Sequence, residues 1–276
     1  MTGNHSHNDP AGAVDLQHRW NQRAAETGTS LQGVLYRGFS EQLNEYIHDW
    51  HVRAVTTQLL PRLPAHALVL DLGCGYGRIR RHVAHVRPDL RLVGVDFSES
   101  YCKLHAKTFA ADTVCADMRY LPFDHGIFDG IIGVTCLMYL ESTERKKSIQ
   151  QILAKLKPAG HALFIDPGLE FMRLARAGLR STRETPTGGM GFRMSEYSNL
   201  SGTQGLTTLA IGGNSLFTML LPLLYLIQRR PALTEKILRV IRKCEANSHG
   251  LLQLSLQRWV LLGPAHTPAK EGTAIV

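Results

Sequence analysis

Three carboxylates and three glycines, set at regular intervals, are the residues of this chain best spaced to do chemistry. Asp71 closes the short apolar run Leu68-Val69-Leu70, and Gly73, Gly75 and Gly77 follow at alternate positions before a helix-forming stretch. An apolar run into an acid, then glycines, then a helix start is a strand, a tight turn and a helix N-terminus. Glycine permits positive φ and carries no Cβ, so a ligand can approach the backbone closely. The first N–H groups of the following helix have no intrahelical partner and can bind an electron-rich group. Dinucleotide loops space their glycines G-x-G-x-x-G. The G-x-G-x-G spacing here, with Asp71 just ahead of it, favours a ligand with an amino-acid end and a ribose over a pyrophosphate. Asp96 lies 25 positions after Asp71, and Asp117 a further 21. Carboxylates at strand ends are costly to bury unless paired or hydrogen-bonded. Each is either a helix cap or a holder of ligand hydroxyls and amines.

The elements that must position these groups alternate. His66–Asp71, Leu92–Asp96, Thr113–Ala116, Ile127–Val134 and His161–Ile165 read as strands. Ile79, Val83 and Val86 keep helical spacing until Pro88. Ser98 is a good N-cap for a helix to about Ala110. Ser142 or Thr143 caps another, with Ile149, Ile152, Leu153 and Leu156 on one face and Pro158-Ala159-Gly160 at its end. The pattern predicts an α/β fold, doubly wound around a mostly parallel, seven-stranded, Rossmann-like sheet with Leu206–Ile211 and Leu252–Leu262 as its last strands. Ligands bind such sheets beyond the carboxyl ends of the strands, where Asp71, Asp96, Asp117 and Thr135 fall. Leu169–Leu179 reads as a helix and Ser181–Gly191 as a turn-rich loop. The domain reading is a disordered polar tail at 1–13, an N-terminal helical lid at 14–64, the main domain at 65–263 with a helical insertion at about 215–247, and a C-terminal tail at 264–276. Leu216–Ile227 is nearly all apolar. It contains Pro222 and is too short to span a bilayer. A buried lid helix, an apolar wall for a greasy acceptor, and peripheral membrane contact beside the basic 229–243 stretch all fit it.

The segment Asp71-Leu72-Gly73-Cys74-Gly75-Tyr76-Gly77 resembles the first motif of class I S-adenosylmethionine-dependent methyltransferases. Four more segments follow in the family's order. Arg91–Ser98 resembles the second strand, Ala116–Phe123 the adenine loop, Phe128–Leu140 the fourth strand and its exit, and Leu156–Asp166 the turn into the fifth. The match covers about residues 66–166 and looks most like the small-molecule group that includes quinone- and natural-product-modifying enzymes. It implies S-adenosyl-L-methionine as cofactor. Asp71, Gly73, Cys74, Gly75 and Gly77 would hold its amino-acid end, Asp96 and Phe97 the ribose, Ala116, Asp117 and Met118 the adenine, with Val134 and Thr135 at the fourth-strand exit. The segment Val134-Thr135-Cys136-Leu137 lacks the Asn/Asp-Pro-Pro-Tyr/Phe signature of amino-directed nucleic-acid enzymes.

Methyl transfer from a sulfonium is an in-line displacement. It needs alignment and a dry site, and a base only if the acceptor must lose a proton. Asp166 at the end of the fifth strand, Tyr139 after the fourth, and Tyr36 and Tyr197 from lid positions are the candidate catalytic groups. His161 begins the fifth strand, at the wrong end of the sheet. The expected acceptor is a small, partly apolar organic molecule methylated at O or N rather than C. An RNA or protein methyltransferase, and a non-catalytic adenosylmethionine-binding protein, stand as alternatives.

Composition limits the surroundings. The chain has 276 residues, 44% hydrophobic, with a formal charge of +8. That charge suits an acidic partner or an ordinary solvated surface; a nucleic-acid partner is not favoured. Five scattered cysteines (74, 102, 115, 136 and 244) give no disulfide framework and no metal-type spacing. With a polar N-terminus and no apolar signal-type stretch, the expectation is a cytoplasmic enzyme with neither a metal nor a transmembrane segment, of unassigned oligomeric state.

Overall fold

The computed structural model describes residues 10–110, 112–141, 143–170, 189–193, 195–196, 205–245 and 252–264. Residues 171–179 of the expected helix at 169–179, most of the loop at 181–191 and Tyr197 lie outside the described residues.

The chain begins with α1 (Pro10–Thr27), α2 (Leu31–Val34) and α3 (Glu41–Ala54). Ser30 and Ser40 cap the second and third, their hydroxyls accepting from the Gln32 and Leu43 N–H groups. The first helix starts at Pro10, inside the segment read as a tail, because proline is accommodated at a helix's first turn. Then come β1 (Leu68–Leu72), α4 (Arg78–Val86), β2 (Arg91–Asp96), α5 (Glu99–Phe109), β3 (Thr113–Cys115), β4 (Phe128–Val134), α6 (Arg145–Leu153) and β5 (Leu156–Pro167). β6 (Leu206–Gly213), α7 (Ser215–Ile227), α8 (Pro231–Glu245) and β7 (Gln257–Pro264) follow among the described residues.

The seven strands form one sheet in the order β3-β2-β1-β4-β5-β7-β6. The pairs from β3 to β5 are parallel, while β7 runs antiparallel to both β5 and β6. Strand order reverses between β1 and β2 on one side and β4 on the other, so a ligand crevice opens beyond the carboxyl ends of β1 and β4. Alternation along β1 sorts its side chains. Leu70 and Leu72 join the core under α6, where Ile149, Ile152 and Leu153 are buried. Val69 joins the opposite core with Val55, Leu59, Ile79 and Val83, and Asp71 shares its side of the strand.

Three local expectations change. Pro158-Ala159-Gly160 does not end a helix: α6 stops at Leu153, and β5 already runs through these residues. Phe128 pairs with Leu156 but Gly130 with His161, so β5 bulges at 157–160, an arrangement that tolerates proline and glycine within a strand. Thr143 is not the cap of α6, whose N-cap is Glu144 with no side-chain bond, and Ser142 lies outside the described residues. The segment expected as one long helical stretch from 215 forms two helices, Ser215–Ile227 and Pro231–Glu245. Pro231, which cannot continue the α7 hydrogen-bond ladder, opens α8, and the two helices fold into a hairpin.

Candidate active site

The turn after β1 is held by its backbone. Cys74 N–H donates to Val95 O at 3.0 Å and Gly77 N–H to Cys74 O at 2.9 Å. Gly73 sits at φ +67°, where a Cβ would come within 2.6 Å of Cys136 Cβ. Gly77 caps α4 in the left-handed conformation, and a Cβ there would strike the Phe109 ring at 2.3 Å. At Gly75 the equivalent position meets only Val34 Cγ1 at 3.6 Å. The loop is thus closed toward the protein at Gly73 and Gly77 and open at Gly75.

Beside that opening stands Asp96. Its Oδ2 accepts from Gly75 N–H at 2.8 Å and its Oδ1 from Ser98 N–H at 2.8 Å. These bonds fix both oxygens and leave each a lone pair for a further donor. Burial raises its pKa, against the pull of the Ser98, Gly75 and Phe97 backbone N–H groups. Asp117 ends the β3 exit, caps the turn at Met118–Tyr120 and forks onto the Arg119 guanidinium, with a closest contact of 2.6 Å. Thr135 follows β4 at φ +55°, a conformation a β-branched residue adopts only under strong surrounding constraint.

These groups line one cavity. Gly73, Gly75, Asp96, Phe97, Asp117, Met118, Val134 and Thr135 all reach its wall. Asp71, Cys74, Gly77 and Ala116 do not. The Cys74 side chain turns inward over Gly94. Gly77 serves close packing of the turn against α5. Asp71 lies beneath the loop, 2% exposed, with its Oδ2 lacking a hydrogen-bond partner.

The opposite wall comes from the N-terminal helices, and spacing alone left its members out of the expected site. Leu16 and Trp20 of α1 and Val34 of α2 line the cavity, facing Tyr139 and Leu140. Trp20 meets Tyr139 edge-on at 5.5 Å. Two bonds latch α1 onto the β2–α5 loop. Gln17 Nε2 donates to Phe97 O at 2.9 Å, and Asn21 Oδ1 accepts from Ser98 Oγ at 2.7 Å. The one sequence signal was the i, i+4 pair Leu16 and Trp20 on an amphipathic stretch. Glu141 and Glu144 also line it, with Tyr101 and Cys136, and its one basic member, Arg119, is committed to Asp117.

The candidate catalytic residues separate. Tyr139 lines the cavity. Tyr36 does not: its hydroxyl accepts from Gln257 Nε2 at 2.9 Å, and burial raises its pKa. Asp166 is fully buried below the β4 exit, where its Oδ1 takes the Met138 N–H at 3.0 Å and its Oδ2 has no partner. It is placed to fix the backbone that carries Tyr139 and is absent from the cavity wall. Tyr197 lies outside the described residues. His161 pairs with Gly130 at the entry of β4, away from the cavity.

Residues 69–160 match a family model described as a methyltransferase domain. This segment is a methyltransferase domain. Its relatives are distant. A tRNA (carboxymethyluridine(34)-5-O)-methyltransferase of Xenopus tropicalis is 33% identical over 40% of this chain and 17% of its own length. A demethylmenaquinone methyltransferase of Symbiobacterium thermophilum is 29% identical over 40% of this chain and 46% of its own length. The chain therefore spans less than half of either relative. Magnesium protoporphyrin IX methyltransferase from Synechocystis PCC 6803, solved with bound S-adenosylhomocysteine, superposes with a TM-score of 0.59 at 14% identity, over 91% of this chain and 99% of that one, and shares the fold.

The methyltransferase domain fits its class's cofactor, S-adenosylmethionine. The Gly75 edge is open where a Cβ would stand, and the fixed Asp96 carboxylate faces the cavity. Among the described residues no group of three or more His, Cys, Asp or Glu side chains is placed to hold a metal ion. None of the described helices is long and apolar enough to cross a membrane.

Buried carboxyls give the chain an unusual pH response. Burial pushes Asp71 up to about 7 and Asp166 up to about 8, and Glu245 likewise to about 7. The folded protein keeps these protons at pH values where the unfolded chain has released them, so stability falls as pH rises through this range. Half-buried His48 and buried His51 and His105 act in the opposite sense, but only below the ordinary histidine value of 6.5. The expected result is a melting temperature that declines from about pH 6.5 to about pH 8. Asp166→Asn, an isostere of the protonated acid, should flatten that decline. A parent protein that grows more stable over this window would contradict the assignment.

Proposed function

We propose that the chain transfers a methyl group from S-adenosylmethionine to oxygen or nitrogen of a small, partly apolar organic acceptor. The observation that carries this reading is the asymmetry of the cavity. One side is a polar cradle of Gly73, Gly75 and Asp96, and the other an aromatic and apolar wall of Leu16, Trp20, Tyr139 and Leu140. When bound, S-adenosylmethionine supplies a methyl group on a positively charged sulfur, already activated for in-line displacement. Gly73 and Gly75 would hold its amino-acid end, Asp96 its ribose hydroxyls, and Asp117 with Met118 its adenine. Trp20 and Leu16 exclude water, which strengthens every polar contact inside. Tyr139 is the candidate to orient the acceptor or hold its proton.

The tRNA-modifying relative and the charge of +8 support RNA as a second acceptor class. The cavity lining favours the small molecule. Glu141 and Glu144 stand on it and Arg119 is engaged by Asp117, which repels a phosphate backbone.

Methyl-labelled S-adenosylmethionine tests the assignment. The protein should label phenols or amines with apolar bodies and leave tRNA unlabelled. Label in tRNA alone would overturn the small-molecule reading, and tight cofactor binding without any transfer would favour a binding protein. Tyr139→Phe should leave cofactor affinity within about twofold and cut turnover about tenfold or more, since a positioned proton-transfer group contributes at least that much. Unchanged turnover would remove Tyr139 from the reaction.

A further inference from the structure

The hairpin of α7 and α8 stands apart from the cavity. Its inner face packs on α3: Phe217 stacks on Tyr46 at 4.4 Å, and Leu221, Leu224, Leu238 and Ile241 are buried with Leu43 and Ile47. Glu245 fastens the two helices, its Oε1 accepting from Phe217 N–H at 2.9 Å and its Oε2 from the Tyr46 hydroxyl. None of these helical residues lines the cavity, so Leu216–Ile227 is not the roof over the acceptor.

The outer face is the unusual part. Met219 is 60% exposed, Leu223 46% and Leu226 80%, at helical spacing along one side of α7. On α8, Leu233 and Val240 are 40% and 57% exposed. Between and beside these apolar side chains lie five exposed cations, Arg229, Arg230, Lys236, Arg239 and Lys243. None of the five is in an ion pair among the described residues. The hairpin's own carboxylates are turned elsewhere: Glu235 pairs with Arg242, and Glu245 is spent on Tyr46 and Phe217.

We propose that this face docks on an anionic lipid bilayer, with Met219, Leu223 and Leu226 entering the interface and the cations contacting headgroups. A polyanion such as RNA would account for the charge but leaves the leucines in water. A second protein copy would account for the leucines but sets five cations against five. A bilayer with acidic headgroups satisfies both at once, because apolar burial and headgroup attraction act together at the interface. The hairpin is too short to span, so contact is peripheral. This inference does not depend on what the cavity methylates.

Vesicle flotation with the full chain tests it. Vesicles of phosphatidylcholine and phosphatidylserine in equal parts should carry the protein upward, and pure phosphatidylcholine vesicles should carry little. Leu223→Ser with Leu226→Ser should weaken anionic-vesicle binding at least tenfold while an unchanged melting curve and cofactor affinity show an intact fold. Arg229→Gln with Arg230→Gln and Lys236→Gln should weaken it too, as should high salt. Three outcomes would overturn the proposal: no flotation with anionic vesicles, flotation that the leucine variant leaves unchanged, or a vesicle-free dimer that the leucine variant dissociates. Binding to tRNA, measured in parallel, counts against it if tRNA binds in place of vesicles. It is compatible with it if the leucine variant loses vesicles and keeps tRNA.

Discussion

Asp96→Ala should weaken S-adenosylmethionine binding by tenfold or more. The carboxylate stands at the end of β2, and its two oxygens are held by the Gly75 and Ser98 N–H groups at 2.8 Å each. A ribose that binds there gains charge-assisted hydrogen bonds worth roughly 1.5–3 kcal/mol each, and tenfold in affinity needs only about 1.4 kcal/mol. The substitution also releases Gly75 N–H, so the open edge of the cradle loses an anchor and the loss should exceed that of the ribose contacts alone. Asp96→Asn keeps one acceptor oxygen and should fall between parent and alanine variant. Calorimetric titration with S-adenosylmethionine measures all three. Equal affinity in parent and alanine variant would show that the cradle holds something else.

Arg78→Met should be the most destabilising single change outside the apolar cores. Arg78 opens α4 directly after the glycine turn and is 9% exposed. Its Nη1 donates to His48 Nδ1 at 3.1 Å and its Nη2 to His51 Nδ1 at 3.2 Å. A guanidinium only donates, so both histidines accept and are neutral. Burial and the neighbouring Arg78 charge accordingly hold His48 down to about 4 and His51 well below its ordinary value. His51 Nε2 then carries the ring proton and donates to Gln257 Oε1 at 3.3 Å, and Gln257 Nε2 donates on to Tyr36. Burial also lowers Arg78 itself to about 10, against the attraction of Tyr76 and Asp71. Removing Arg78 strands two neutral acceptors, His48 Nδ1 and His51 Nδ1, and leaving a buried acceptor unsatisfied costs about 1–3 kcal/mol, or about 4 kcal/mol for the pair. For a chain of this size that is a fall of about 10 °C in melting temperature. Arg81→Met, on the exposed side of the same helix, is the control and should cost less than about 0.5 kcal/mol. Equal melting curves for the two variants would mean that the network bears no load.

The network also explains why Tyr36 is absent from the cavity wall, and a separate bond holds Asp166 away from it. Both were expected at the acceptor from their order in the chain, at a lid junction and at the end of β5. Chain order gives the end of the sheet a residue lies at, not the direction its side chain takes. Tyr36 points toward Gln257 of β7, which is 221 positions away. Asp166 points toward the Met138 N–H.

The local pattern by itself determined the sheet and the glycine turn with Asp96 beside it. An apolar run, an acid and three alternate glycines leave few conformations open, because positive φ and close backbone approach exclude most other residues. Strand parity and the right-handed βα crossover then carry Asp71, Asp96 and Asp117 to the same end of the sheet without reference to distant contacts. Bounds drifted only where local signals conflict, as at Pro158–Gly160, where pairing with β4 outweighed the helix-stop signal. The acceptor wall was decided by tertiary structure. Leu16 and Trp20 reach it because Gln17 and Asn21 fasten α1 to the β2–α5 loop, contacts separated by some eighty residues of chain. The destination of Leu216–Ile227 was decided in the same way. Its composition states only that it must bury one face. Packing against α3, secured by Glu245, selected that face and left Met219, Leu223 and Leu226 outside. Long-range packing chooses among partners of equal hydrophobicity by shape and by the few polar bonds that register them, and neither is written in local spacing.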